Sequence, residues 1–282
     1  MNPDFRPLSI GELLDRSFAM YRRNFIVFVG IAGVPALFYL AARLAYIALL
    51  TKGQAIKATD PALSIWAQMS GRFAVLNIGM SIASFAVGIA AWCALVYATS
   101  AIYLGHSPSI AQAFAGLKGS FGRALGVSFV TGLLTMLGFV LLIVPGILLS
   151  LRWALVVPST LLEQTGVSES RSRSSFLTEG SRGRILLIFI MWAVVLYALT
   201  MILEIPIMGV LMASMIRTRA SAPVLPFWYF AASFAVSFLV NSLTTPILGI
   251  ALTLQYYDGR IRKEALDLQM LMQSAAGATA GA

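Results

Sequence analysis

The hydrophobic positions of this chain gather into long unbroken blocks, and short polar connections separate the blocks. A helix crossing a hydrocarbon core of roughly 30 Å needs about 20 apolar residues, because lipid offers no hydrogen-bond partner to an exposed amide or carbonyl. Five blocks reach that length, at 25–50, 73–104, 124–144, 185–216 and 227–257. A sixth, 147–162, is shorter and follows Pro145-Gly146, which predicts a sharp turn between it and its predecessor. The expected fold is therefore all-α, a polytopic membrane helix bundle of six transmembrane helices, built as one membrane domain over residues 1–260.

The polar connections carry a pattern of their own. SIGELLDRSFAMYRRNF precedes the first block, SPSIAQAFAGLKGSF the third and VSESRSRSSFLTEGSRGR the fifth. Aligning Phe18, Phe114 and Phe176 places Ser17, Ala113 and Ser175 before them. Thr99, Thr160 and Thr253 each lie six residues before a glycine, Gly105, Gly166 and Gly259. Such periodicity predicts three repeated units of amphipathic helix plus hairpin, at 8–105, 106–166 and 167–259. In the first, Ile10, Leu13, Leu14, Phe18 and Tyr21 share one helical face, while Glu12, Asp15, Arg16, Arg22 and Arg23 occupy the other. A helix of that kind lies at the membrane interface, where its basic end meets anionic headgroups at about 1 kcal/mol per charge. Residues 261–282 are expected to be a short cytoplasmic extension of the last helix followed by a disordered, small-residue tail.

Composition closes off the soluble alternatives. Hydrophobic residues make up 59% of the 282 and charged residues 11%, with a mean hydropathy of +0.86, too little polar surface to coat a globule in water. The net charge of +9 does not point to nucleic acid, because the basic residues flank apolar blocks and form no stripe with aromatics between them. Their placement instead sets topology. Thirteen of the twenty fall on one side of six spans, among them Arg22, Arg23, Arg123, Arg171, Arg184 and Arg262, and only Lys52, Lys57, Arg72, Arg217 and Arg219 fall opposite. Both termini are thus expected in the cytoplasm of a bacterial cell, with the chain in the inner membrane. If block 147–162 re-entered instead of crossing, the cluster from Arg171 to Arg184 would lie outside, against the rule. Asp4, Glu12 and Asp15 ahead of the first block speak against a cleaved signal peptide.

Catalytic and metal templates find little to match. His106 is the single histidine, on a Gly105-His106-Ser107-Pro108 turn, and Cys93 is the single cysteine, inside an apolar block. Neither a zinc site nor a serine triad is expected from them. No phosphate loop or dinucleotide fingerprint occurs, so no cofactor and no enzyme activity are expected. Three charges lie inside blocks: Arg43, Arg152 and Glu204. At about 1.5 Å per residue Arg43 is about 27 Å along its span and Glu204 nearly 30 Å, with Arg152 about 8 Å past the expected turn. That puts all three in the outer half of the membrane, where an unpaired charge costs several kcal/mol and Glu204 is the available carboxylate. They form a candidate polar cluster, either a structural ion pair or an outward pocket for an anionic headgroup. Asn241, Thr244 and Thr245, just before Pro246, form a second candidate, a polar helix break in the last span. Gly122 with Gly126, and Ser84 with Gly88, are expected to allow close helix packing.

The segments RPLSIGELLDRSFAMYRRNFIVFVGIAGVPAL and VPGILLSLRWALVVPSTLLEQTGVSESRSRSSF resemble the membrane domain found beside bacterial glycerophosphoryl diester phosphodiesterases. The resemblance spans most of residues 6–260 and rests on patterned hydrophobicity, Pro145-Gly146, Arg152-Trp153 and Pro158. It implies a membrane scaffold, without the soluble catalytic domain that carries the phosphodiesterase chemistry. The expected role is a non-enzymatic scaffold or partner in envelope or lipid-linked processes; the alternative is a transporter or lipid-handling protein with an outward polar pocket. Membrane lipids, anionic headgroups among them, and a membrane protein or second copy of the chain are the expected partners.

Overall fold

A computed structural model of the chain describes residues 7–52, 71–218 and 226–264. The expected tail lies outside the described residues from 265 onward, as do the connections 53–70 and 219–225. The described residues form ten helices and no strand: α1 Ile10–Arg23, α2 Phe25–Lys52, α3 Gly71–Tyr103, α4 Ile110–Ala115, α5 Phe121–Leu141, α6 Ile143–Arg152, α7 Val156–Leu162, α8 Val167–Thr178, α9 Arg182–Thr218 and α10 Phe227–Glu264. Six segments are long and apolar enough to cross a membrane: Phe25–Ala48, Ala74–Tyr103, Phe121–Leu141, Ile143–Leu162, Arg182–Arg217 and Phe227–Glu264. The fold is all-α with six membrane-length helical spans. The short block is extended at its start to Ile143 and interrupted at residues 153–155.

Contacts divide the chain into two compact units. Unit 1 comprises Met1–Ile31, Ile89–Trp192 and Thr245–Ala282; unit 2 comprises Ala32–Gly88 and Ala193–Thr244. The buried apolar core belongs mostly to unit 1, where Phe28, Ile31, Leu95, Leu155, Leu177, Ile185, Ile250, Leu254 and Tyr256 are sealed from solvent. Unit 2 carries long exposed apolar faces, such as Ile78, Ile82, Ile202 and Ile205, of the kind that suits lipid as the solvent.

The helix starts are set locally. Ser9 and Ser109 each close a capping box: Ser9 Oγ accepts from Glu12 N (3.3 Å) and Glu12 from Ser9 N (2.8 Å), while Gln112 does the same for Ser109 at 3.2 and 2.8 Å. Gly166 takes the equivalent place before α8, without a side-chain cap. One turn inside each start sit Leu13, Ala113 and Ser170, all fully buried, and one turn further Ser17, Leu117 and Ser174, buried as well. This register, counted from the caps, differs from the phenylalanine alignment, and Phe18 and Phe176 point outward from it. The buried face of α1 is accordingly Leu13, Ser17 and Met20, displaced around the helix from the expected apolar stripe. Helix α8 departs further. Its buried positions are Ser170, Ser174, Leu177 and Thr178, so it packs through hydroxyls and has no hydrophobic stripe.

Helix α3 ends on Gly105, whose φ of +90° lets His106 N reach Ala101 O (2.9 Å) and Gly105 N reach Ile102 O (3.0 Å). The turn between α5 and α6 falls at Leu142 and not at Pro145-Gly146. Pro145 occupies the first turn of α6, where its missing N–H removes no helical bond. Gly146 has a different task, close approach. A Cβ there would run into the Phe139 ring, and one on Gly138 would meet Gly146 Cα at 3.1 Å. By contrast, Gly88, Gly122 and Gly126 have nothing within 4 Å of a built Cβ, so the close packing expected there is found at the α5–α6 hairpin instead. Gly146→Ala should therefore lower stability in detergent by about 1–3 kcal/mol through overpacking, while Gly132→Ala, in open space on α5, leaves it unchanged; equal melting temperatures for the two variants would contradict the tight hairpin.

Candidate functional site

Unit 1 concentrates its polar groups at the end where α1 begins and α10 finishes. Asp258, whose side chain is fully buried, is the centre of one cluster. Its Oδ1 accepts from Leu8 N (2.7 Å), and its Oδ2 accepts from Arg184 Nη1 and Arg262 Nε, both at 2.8 Å. The same two arginines donate to Leu8 O, at 2.9 and 2.6 Å. Both backbone groups of Leu8 are thus held, and residues from the chain's start, from α9 and from α10 close on one carboxylate. A buried carboxylate is tolerable only with this kind of compensation.

A second network is built on Glu163, the residue after α7. Tyr256 donates to its Oε1 (2.6 Å) and Arg173 Nε to its Oε2 (2.6 Å). Arg173 also pairs with Glu264, which accepts from Arg260 Nε at 3.0 Å. Hydrogen bonds from Arg173 to Glu264 first, and to Glu163 after it, outweigh partial burial and hold this guanidinium charged well above its ordinary range. Lys263 lies over the Phe176 ring, 4.7 Å from its centroid, and donates to Phe176 O.

The third cluster explains the break between α6 and α7. Residues 153–155 leave backbone groups without helical partners, and α8 supplies them. Ser174 Oγ accepts from Leu155 N (3.2 Å) and donates to Arg152 O (2.9 Å), which Thr178 also reaches at 3.2 Å. Ser170 meets Thr165 (2.7 Å) and Thr160 (2.9 Å) in a dry hydroxyl group. Arg152 Nε donates to Ser175 Oγ (2.8 Å), and the Trp153 ring lies 4.7 Å beneath the Arg171 guanidinium. The Arg152-Trp153 pair is therefore docked on α8.

Arg152 consequently does not sit where depth counting put it. Nine residues of α6 separate it from the turn, and its partner is on the polar helix α8. Arg43 and Glu204 belong to unit 2, and no ion pair joins them among the described residues. Arg43 stacks over Tyr39 at 4.9 Å, and Glu204 Oε2 accepts from Ser233 Oγ at 3.1 Å. The expected helix break is not one: α10 runs continuously through Pro246, as α9 does through Pro206. Membrane helices tolerate such prolines because neighbouring helices and small local adjustments of the backbone re-satisfy the freed carbonyl. Asn241 donates to Ser237 O and Thr244 to Val240 O, both 2.8 Å and both within α10, while Thr245 is half-buried. Thr99, Thr160 and Thr253 are all fully buried and each donates at 2.7 Å to the carbonyl one turn back.

Asp258, Glu163 and the α8 serines escaped sequence reasoning. The signals that point to them are the carboxylates just past the ends of apolar blocks, with arginines at helical spacing in Asp258–Arg262 and Arg260–Glu264. Among the described residues no group of three or more His, Cys, Asp or Glu side chains could hold a metal ion. No family model, curated protein or solved structure matches this chain.

Proposed function

We propose that this chain is a non-catalytic scaffold of the bacterial inner membrane, with unit 1 a rigid platform for envelope or lipid-linked partners. The observation that carries the reading is how the buried and half-buried carboxylates of unit 1 are used. Asp258, Glu163 and Glu264 are closed off by arginines and a tyrosine that tie helices together. None is left as a free acid or base beside an open cleft, which is the arrangement that acid–base chemistry requires. A threefold construction fits this role: caps at Ser9, Ser109 and Gly166 and identical threonine bonds at Thr99, Thr160 and Thr253 support three related units. The resemblance to the phosphodiesterase membrane domain agrees with a scaffold.

Native mass spectrometry of the protein released gently from its own membrane tests the proposal. A stoichiometric protein partner or second copy supports the scaffold; recovery of the chain alone, with or without lipid, overturns it.

The same reading orients the protein. Leu8 and Asp258 meet, so the first and last described segments of unit 1 lie together, and the excess of Lys and Arg supports a cytoplasmic placement for them. Cys93 is buried, which leaves the native chain a quiet background for labelling. A membrane-impermeant thiol reagent added to intact cells that admit it to the periplasm should modify Arg217→Cys and spare Ser172→Cys, both exposed positions. Modification of Ser172→Cys alone would reverse the topology.

A further inference from the structure

The second half of α2 and the first half of α3, both in unit 2, line a half-open cavity of about 360 Å³ that none of the networks above uses. Arg43 and Tyr39 line it from α2. Asn77, Ser81 and Ser84 line it from α3, with Phe85 on the apolar side. The spacing of Asn77, Ser81 and Ser84 at i, i+4 and i+7 puts the three on one helical face. The volume falls within the ordinary range for a ligand pocket, about 300–1,000 Å³.

Its chemistry is one-sided. Among the described residues no carboxylate lines the cavity and none pairs with Arg43. The guanidinium carbon lies over the Tyr39 ring, 4.9 Å from its centroid, a contact that uses none of its N–H donors as hydrogen bonds. Ser81 spends its hydroxyl proton on Asn77 O, at 2.8 Å. The donors left to face a ligand are Arg43, the Asn77 amide and the Ser84 hydroxyl. An arginine stationed about 27 Å along a span reaches the level of the opposite headgroups, where lipid phosphate is a ready counter-charge.

We propose that this cavity is a binding site for a phosphate-bearing anion, with Arg43 as the charged donor, Asn77 and Ser84 as orienting donors and Phe85 against an acyl chain when the phosphate belongs to a lipid. The proposal goes beyond the scaffold reading and does not depend on it.

The test places the full chain in phosphatidylcholine nanodiscs doped with phosphatidylglycerol and counts, by native mass spectrometry, the lipid that stays with the protein. Wild type should retain phosphatidylglycerol over phosphatidylcholine. Arg43→Gln should reduce that retention about fivefold, the ratio expected for one charge near the headgroups. Ser84→Leu, which fills the cavity and keeps the charge, should reduce it as well, so the site stays testable if the arginine variant folds poorly. A parallel arm adds millimolar inorganic phosphate: displacement of the lipid assigns the site to soluble phosphate, and persistence assigns it to a headgroup. Undiminished phosphatidylglycerol retention in both Arg43→Gln and Ser84→Leu, or equal retention of the two lipids by wild type, would overturn the proposal.

Discussion

Replacing Asp258 by alanine should destabilise the detergent-solubilised protein by about 3 kcal/mol, the low end of the cost of breaking a buried ion pair from one side. The carboxylate is fully buried and accepts from Leu8 N, Arg184 and Arg262. Removing it leaves an amide without an acceptor and two guanidiniums facing each other across Leu8 O. Water reaches both arginines, which are 22% and 42% exposed, and that moderates the loss. Asp258→Asn should cost less, because an amide oxygen still accepts from Leu8 N, yet its NH₂ meets a second donor. Thermal melting by intrinsic fluorescence separates the cases: the order wild type, Asn, Ala is expected. A melting temperature for Asp258→Ala within error of wild type would show that the cluster merely decorates the surface. The chain's start should also loosen, so limited proteolysis of Asp258→Ala is expected to cut near Leu8 before it cuts elsewhere.

The membrane spans were legible because each depends on one local property, apolar length, which a block such as 185–216 displays without help from the rest of the chain. Boundaries that depend on distant partners were not. Pro145-Gly146 reads as a turn, yet proline fits the first turn of α6 and the glycine serves contact with Phe139, so the turn moved to Leu142 and Arg152 moved with it. The break at 153–155 has a local signal in Pro158, which cannot donate to the Ala154 carbonyl four residues back and crowds it. What the sequence does not announce is that Ser174 and Thr178, some twenty residues later, receive the freed backbone groups. Helix α8 was read as amphipathic from its position in the repeat, but a face of serine and threonine carries no hydrophobic signal even when it is buried. Of the candidate residues, Arg43 does line a cavity, while Arg152 and Glu204 found hydroxyl partners and, among the described residues, no ion pair. Charge inside an apolar block marks a cost that must be met; the sequence does not say which neighbour meets it.

Glu163 offers the second large effect, and it tests whether the network around it is cooperative. Glu163→Ala is expected to cost about 2 kcal/mol, because Tyr256 O–H loses its acceptor and Arg173 keeps only Glu264. The Tyr256 ring is fully buried within α10, so its hydroxyl has little water to turn to. Tyr256→Phe removes the same hydrogen bond from the other side and should cost about 1 kcal/mol. If the bond is what joins the end of α7 to α10, the double variant Glu163→Ala, Tyr256→Phe should be more stable than the sum of the single losses predicts, with a coupling of about 1 kcal/mol. The opposite arm pairs Glu163→Ala with Arg152→Gln, whose partner is Ser175 and not Glu163. Those two should add. Additivity in the Tyr256 cycle would instead mean that Glu163 is held by Arg173 and Arg260 alone, and that α7 and α10 are fastened through α8 rather than to each other.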